Sequence, residues 1–234
     1  MFQKLKKYAM KSMNWKKKFL KNGLLYVILD KEVIDKAKIN IFLLAEKLAC
    51  FGVDIFQLRV KGLADKEYLS IASKLSKVIQ KRKKLFIVND RADIAFLSEA
   101  SGLHLGESDI SFAKARKIIG KSSIIGKTIH STSQLDNLKA QEHREKTKVD
   151  YVSFGPAFKT KTKPNLKPLA SDELKTLIKK SKKLIFAIGG INQYNINSLL
   201  ESGIRNVAIC REIILAKNLK TTINNYKKCL NKVS

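Results

Sequence analysis

Chemically capable side chains recur in this sequence at one kind of place, just after a short apolar run. Gln57-Leu58-Arg59-Val60-Lys61 closes one run, Asn89-Asp90-Arg91 follows another and Gly106-Glu107-Ser108-Asp109 follows a third. Thr128 and His130 end the next. The run 151–154 breaks at Gly155-Pro156 into a loop carrying Thr160, Lys161, Thr162 and Lys163, closed by Pro164. Gly189-Gly190 and Cys210-Arg211 follow the last two runs. Hydroxyls, backbone N–H groups and cations in such number suit phosphorylated ligands. A solvated basic loop is the bland alternative for 155–164.

Asp90 and Asp109 follow neighbouring runs, so their carboxylates can converge. Two carboxylates suit a Mg²⁺ ion that also bridges phosphate oxygens. The alternative is a pair of carboxylates neutralised by Arg59, Lys61 or Arg91. Gln57, Arg59 and Lys61 alternate along an extended segment and so point to one side. Arg offers a phosphate fork and Lys a mobile point charge, while Gln57 and Asn89 suit the edge of a base-like ring. Gly189-Gly190 brings backbone N–H groups close to a ligand, or is a plain tight turn. His130 suits acid or base work, or is a satisfied histidine at a strand end. His104, inside an apolar run, reads as structural. Two anion-binding regions result. One is metal-assisted, with Arg59, Lys61, Asp90, Asp109 and Lys163. The other is neutral, with Thr160, Thr162 and Gly190. Two phosphorylated substrates are implied, one of them a diphosphate.

The elements that position these residues alternate regularly. Apolar runs at 24–29, 54–58, 85–88, 103–105, 123–126, 151–154, 184–188 and 206–209 are each followed by a helical stretch. The first two helices are expected at about 39–51 and 65–82, and the last at about 218–230. The runs lack in-out alternation, so both faces are expected to be buried, as in parallel strands under helices. Eight strand–helix repeats predict an α/β fold, a (β/α)8 TIM barrel spanning 23–234 as a single domain. An open doubly wound sheet is the alternative, and the lack of G-x-G-x-x-G after the first run argues against its dinucleotide-binding form. In a barrel, polar residues after the strands gather at one pole.

The chain has 234 residues and a net charge of +27, from 47 Lys plus Arg against 20 Asp plus Glu. That balance favours anionic partners. The basic residues are mostly lysines spread over every helical stretch, without an aromatic-plus-Arg stripe, which fits Lys-rich residue usage better than a dedicated nucleic-acid face, so no nucleic-acid partner is expected and a basic nucleic-acid-binding protein is the most distant alternative. Cys50, Cys210 and Cys229 are widely spaced, without metal-ligand spacing, and suit reduced thiols in the cytoplasm. No apolar run reaches membrane-span length. Residues 1–22 form a basic extension, a helix or tail that packs outside the domain or lies on anionic lipid. The oligomeric state, including a homo-oligomer, is left open.

Six segments, QLRVK (57–61), NDRADIA (89–95), GLHLGESD (102–109), IGKTIHS (125–131), GPAFKTKTKP (155–164) and AIGGI (187–191), together resemble the thiamine-phosphate synthase family in the same order over about 24–216. The resemblance implies a transferase that joins 4-amino-2-methyl-5-(diphosphooxymethyl)pyrimidine to a thiazole phosphate, giving thiamine phosphate and diphosphate. Diphosphate would leave first, giving a pyrimidine-methyl cation that the thiazole nitrogen attacks. Arg59, Lys61 and Lys163 would act on the leaving charge. Gln57, Leu58, Arg59, Val60, Lys61, Asn89, Thr128 and Lys163 would hold the pyrimidine diphosphate, and Asp90 with Asp109 the Mg²⁺. Thr160, Lys161, Thr162, Gly190, Cys210 and Arg211 would hold the thiazole phosphate. The sequence departs from the pattern at Val60, Lys127, Lys159 and Arg211, where an acid, Val, Pro and Ser are usual. A thiazole tautomerase-like isomerase using His130 and a non-catalytic thiamine-precursor-binding paralogue are the alternatives. Isomerases of that branch lack the NDR aspartate and the TKP lysine, both present here.

Overall fold

The computed structural model describes residues 23–160, 168 and 171–231. Strands β1 (Leu25–Asp30), β2 (Ile55–Arg59), β3 (Leu85–Asn89), β4 (Gly102–Leu105), β5 (Ile124–Ile129), β6 (Tyr151–Phe154), β7 (Leu184–Ile188) and β8 (Asn206–Ile209) close into one parallel barrel in sequence order. Around it lie α1 (Lys31–Lys36), α2 (Ile41–Phe51), α3 (Asp65–Lys81), α4 (Ala92–Leu97), α5 (Phe112–Ile119), α6 (Thr132–Glu145), α7 (Ser171–Lys180), α8 (Ile196–Glu201), α9 (Arg211–Ile214) and α10 (Leu219–Asn231). The (β/α)8 expectation is met over the described residues. The expected helix at 39–51 is α2. A helix the sequence pattern did not suggest, α1, follows β1 directly, capped by Asp30, whose Oδ1 accepts the Val33 N–H at 3.3 Å. Six residues are too few to show a helical period in sequence. The N-terminal extension at 1–22 lies outside the described residues.

The absence of in-out alternation in the strands has the expected cause. Odd and even residues are buried in two separate cores. Leu25, Val27, Leu29, Phe56, Leu58 and Val60 pack with helix residues such as Leu44, Leu48 and Leu75 outside the sheet. Tyr26, Ile28, Ile55, Ile87, Ile124, Tyr151, Phe186 and Ala208 fill the barrel interior. A parallel strand covered on both faces has no polar side to display. Tyr151 occupies its place because Gly126, its β5 neighbour, has no side chain: a Cβ at residue 126 would fall on the Tyr151 ring.

The N-terminal pole of the barrel is closed by structural polar groups. Asp54 accepts the Leu25 N–H at 3.0 Å and pairs with Lys227 at 2.7 Å. Asn206 accepts the Leu24 N–H at 3.0 Å and donates to the Ile185 carbonyl at 3.1 Å. Conserving the sheet's closure is their evident work, and the chemistry is left to the opposite pole.

Candidate active site at the C-terminal mouth of the barrel

Strand parity delivers side chains to the mouth. Gln57 and Arg59 share the interior parity of Ile55, and Asp30 that of Tyr26 and Ile28. Leu58 and Val60, by the same rule, are buried in the outer core with the helices. Their side chains face away from the mouth, so any ligand contact they make is through backbone.

Arg59 Nη1 donates to Asp30 Oδ2 at 2.5 Å, and the Asp30 side chain is 5 % exposed. Arg59 is therefore held by β1 rather than by Asp90 or Asp109. Sequence reasoning missed Asp30, which ends an apolar run. Its only signal was position: it is the last residue of a strand, at the functional pole. Arg91 points elsewhere too, to Asp65 at 2.6 Å and Asp93 at 2.6 Å.

Asp90 and Asp109 do converge. Burial, then the hydrogen-bonded Asp109 carboxyl and its charge, push the Asp90 carboxyl above the ordinary carboxylate range, while Lys61 opposes the shift. Lys61 Nζ lies 3.1 Å from Asp90 Oδ2. Asp90 has φ 64, a left-handed conformation that Asp tolerates better than most residues. Asp109 Oδ2 accepts the Gly106 N–H at 2.6 Å, tying the β4–α5 loop into a turn. Lys127 extends from β5 to the Gly106 carbonyl; burial lowers its ammonium pKa and the Asp109 and Glu107 charges oppose this. Among the described residues, no three His, Cys, Asp or Glu side chains gather as a metal cluster. The donor set is two carboxylates. That fits Mg²⁺, which commonly takes one or two protein carboxylates and completes its shell with water and substrate phosphate.

Gly189 and Gly190 have φ 96 and 66, and the turn is bound to the loop after β6. Gly189 O accepts the Phe158 N–H at 3.0 Å and Gly190 O accepts Asn195 Nδ2 at 2.9 Å. A Cβ on Gly190 would lie 2.5 Å from the Lys159 carbonyl oxygen. The glycines thus let two loops touch, bringing Phe158 and Lys159 against the turn. Lys161, Thr162 and Lys163 lie outside the described residues.

Across the mouth, Arg59 and Arg211 share an environment. Burial pushes the Cys210 thiol up to about 12; Asp30 adds to the shift and the Arg59 and Arg211 charges oppose it. The exposed Arg211 begins α9. His130 Nδ1 lies 2.5 Å from the Gly155 carbonyl, an acceptor only, so Nδ1 carries the proton there.

Below the mouth lies a polar relay built on buried groups. Gln57 Nε2 donates to Tyr26 Oη at 2.9 Å, and Tyr26 Oη meets Tyr151 Oη at 3.1 Å. Tyr151 Oη meets His104 Nδ1 at 3.0 Å, and His104 Nε2 meets Thr128 Oγ1 at 2.8 Å. Ser153 Oγ lies 3.1 Å from Thr128 Oγ1. Burial raises both phenol pKa values well above the usual range. The Phe186 ring meets Tyr26 and Tyr151 edge-on, at 5.4 and 5.2 Å between centroids. His104 is buried, and through the tyrosines it links Gln57 to Thr128.

Fold and mouth together define a (β/α)8 barrel with a convergent acidic, basic and glycine-lined pole, the form of a phosphate-handling barrel. The chain belongs to the thiamine monophosphate synthase family, whose model matches residues 25–213. It is 39 % identical over 181 residues to a thiamine-phosphate synthase of Prochlorococcus marinus subsp. pastoris, covering 77 % of this chain and 50 % of that protein. It thus spans about half the length of that relative. A thiamine-phosphate synthase of Persephonella marina is 35 % identical over 207 residues, covering 88 % of this chain and 95 % of the relative. The solved structure of thiamine phosphate pyrophosphorylase from Pyrococcus furiosus has the same fold, with TM-score 0.78 and 24 % identity over 92 % of this chain and 99 % of that one.

Proposed function

We propose that the chain is a thiamine-phosphate synthase. It would transfer the pyrimidinylmethyl group of 4-amino-2-methyl-5-(diphosphooxymethyl)pyrimidine to the ring nitrogen of a thiazole phosphate. The C–O bond to diphosphate breaks, the C–N bond forms, and diphosphate leaves with the electron pair. The observation that carries this reading is the convergence of Asp90 and Asp109 at the mouth, in a chain of this family; Lys61, which pairs with Asp90 at 3.1 Å, would turn to the diphosphate when the metal binds. Bound there, Mg²⁺ would neutralise charge on the departing diphosphate.

Lys61 and Arg59 supply further positive charge to that end, and Lys163, outside the described residues, is assigned to it by motif. Asp30 holds the Arg59 fork in one orientation. Gln57, Asn89 and Thr128 are assigned to the pyrimidine. Thr160, Lys161, Thr162, Gly190, Cys210 and Arg211 are assigned to the thiazole phosphate. Both the Arg59 and the Arg211 charges act on the Cys210 thiol, which supports cations at the thiazole-phosphate side as well. No protein nucleophile is required. His130 has one nitrogen committed to Gly155 and takes no proton in this scheme.

A cytoplasmic location accords with three free thiols, Cys50, Cys210 and Cys229. No described helix is long and apolar enough to cross a membrane. The reading is tested by titrating the protein with the pyrimidine diphosphate in the presence and absence of Mg²⁺. Metal-dependent binding that is lost in Asp90→Asn is expected; binding indifferent to both would remove the metal from the account.

A further inference from the structure

The buried relay from Gln57 to Thr128 has a direction, and that direction decides which end of the Gln57 amide faces the mouth. Each member can be assigned in turn. The Gln57 amide donates to Tyr26 Oη. Tyr26 is 2 % exposed, and its own proton then goes to Tyr151 Oη, 3.1 Å away. Tyr151 in turn donates to His104 Nδ1 at 3.0 Å. His104 therefore carries its proton on Nε2, shared between Thr128 Oγ1 at 2.8 Å and Ser153 Oγ at 3.3 Å. In this sense each proton has an acceptor.

The opposite sense is self-consistent only if the Gln57 amide is turned over. Its carbonyl would then accept from Tyr26, Tyr151 would donate to Tyr26, and His104 would hold its proton on Nδ1. With Gln57 donating, that reversed sense strands the Tyr26 proton inside the barrel. The tautomer of an imidazole and the orientation of an amide on another strand are thus one variable.

We propose that Tyr26, Tyr151 and His104 are positioning residues that lock Gln57 with its carbonyl oxygen toward the mouth, as an acceptor for an amino group on the ring of the pyrimidine substrate. The choice of substrate rests on the synthase reading above; the tautomer does not. His104, two strands from Gln57, acts through the tyrosines rather than on the ligand's amino group. Its Nε2–H also makes Thr128 an acceptor from below, so the Thr128 proton is directed to Ser153 or into the mouth.

Nitrogen-15 NMR of the histidine-labelled full chain tests the direction without any assay of turnover. The chain has three histidines, and His104→Gln assigns the His104 signals by their loss. The Nε2–H tautomer is expected for the uncharged imidazole. An Nδ1–H tautomer would overturn the proposal. Tyr151→Phe keeps the ring and removes the central hydroxyl. It is expected to release the tautomer into exchange, and to raise KM for the pyrimidine diphosphate about tenfold, or about 1.4 kcal/mol, with KM for the thiazole phosphate unchanged. Equal rises in both KM values, or none, would contradict the positioning role. If the chain shows no synthase turnover, the NMR result still decides the relay, so failure of one reading is separable from failure of the other.

Discussion

Asp30 Oδ2 and Arg59 Nη1, on adjacent strands at the barrel mouth, lie 2.5 Å apart, and the other Asp30 oxygen caps α1. One buried carboxylate therefore sets both the aim of a cation at the barrel mouth and the start of a helix. Asp30→Asn keeps a cap acceptor but removes the charge; Asp30→Ala removes both. Chemical denaturation should rank wild type above Asn above Ala. The Ala variant should lose about 2–4 kcal/mol, from an unpaired arginine and a lost cap. Equal stability of Asn and Ala would remove the capping role.

Asp90 and Asp109 hold like charges together at a cost to folding. The Asp90 carboxyl is raised chiefly by burial and by Asp109. A raised carboxylate pKa means the charged form is disfavoured in the fold, so the penalty is present above the folded-state pKa and vanishes below the unfolded one. Asp90→Asn removes it and keeps a residue that accepts the left-handed backbone. Without added metal, its melting temperature should exceed that of wild type by a few degrees, while Mg²⁺-dependent turnover falls at least a hundredfold. A lower melting temperature would show that the pair is not repulsive.

Gly190 lets the β7 turn touch the Lys159 carbonyl and has φ 66. Gly190→Ala adds both a clash and a strained backbone. A loss of about 2–4 kcal/mol is expected, with KM for the thiazole phosphate rising more than KM for the pyrimidine diphosphate. Calorimetry and initial rates check the two halves separately.

Cys210 sits in the mouth with its thiol pushed up to about 12 by burial. Its thiolate is scarce at pH 8, so alkylation by iodoacetamide should reach the exposed Cys50 well before Cys210. Mass spectrometry of the timed reaction measures the order. Faster labelling of Cys210 would place it in an open, cation-activated setting.

The barrel was legible because eight short apolar runs recur with helices between them, and the polar pole because charged and small residues directly follow those runs. Lys61, Asp90, Asp109 and Gly190 could be placed by that rule alone. Asp30 could not: nothing in a carboxylate after LYVIL says which arginine it will meet across a strand pair. Tyr26 and Tyr151 were hidden for another reason. In sequence each is one more bulky residue in a buried run, and only the strand register brings both hydroxyls to His104. Gly126 is read as a weak strand residue until the ring that fills its space is seen. Asp54 illustrates the reverse: a charge beside a strand that belongs to the closed pole, where Lys227 neutralises it.

The central claim is tested most directly by product stoichiometry. The purified full chain, Mg²⁺, the pyrimidine diphosphate and the thiazole phosphate are mixed, and thiamine phosphate and diphosphate are quantified over time. The account predicts both products at one to one, with no thiamine phosphate when either substrate is withheld. Tight binding of both substrates without thiamine phosphate, at any Mg²⁺ concentration, would contradict it.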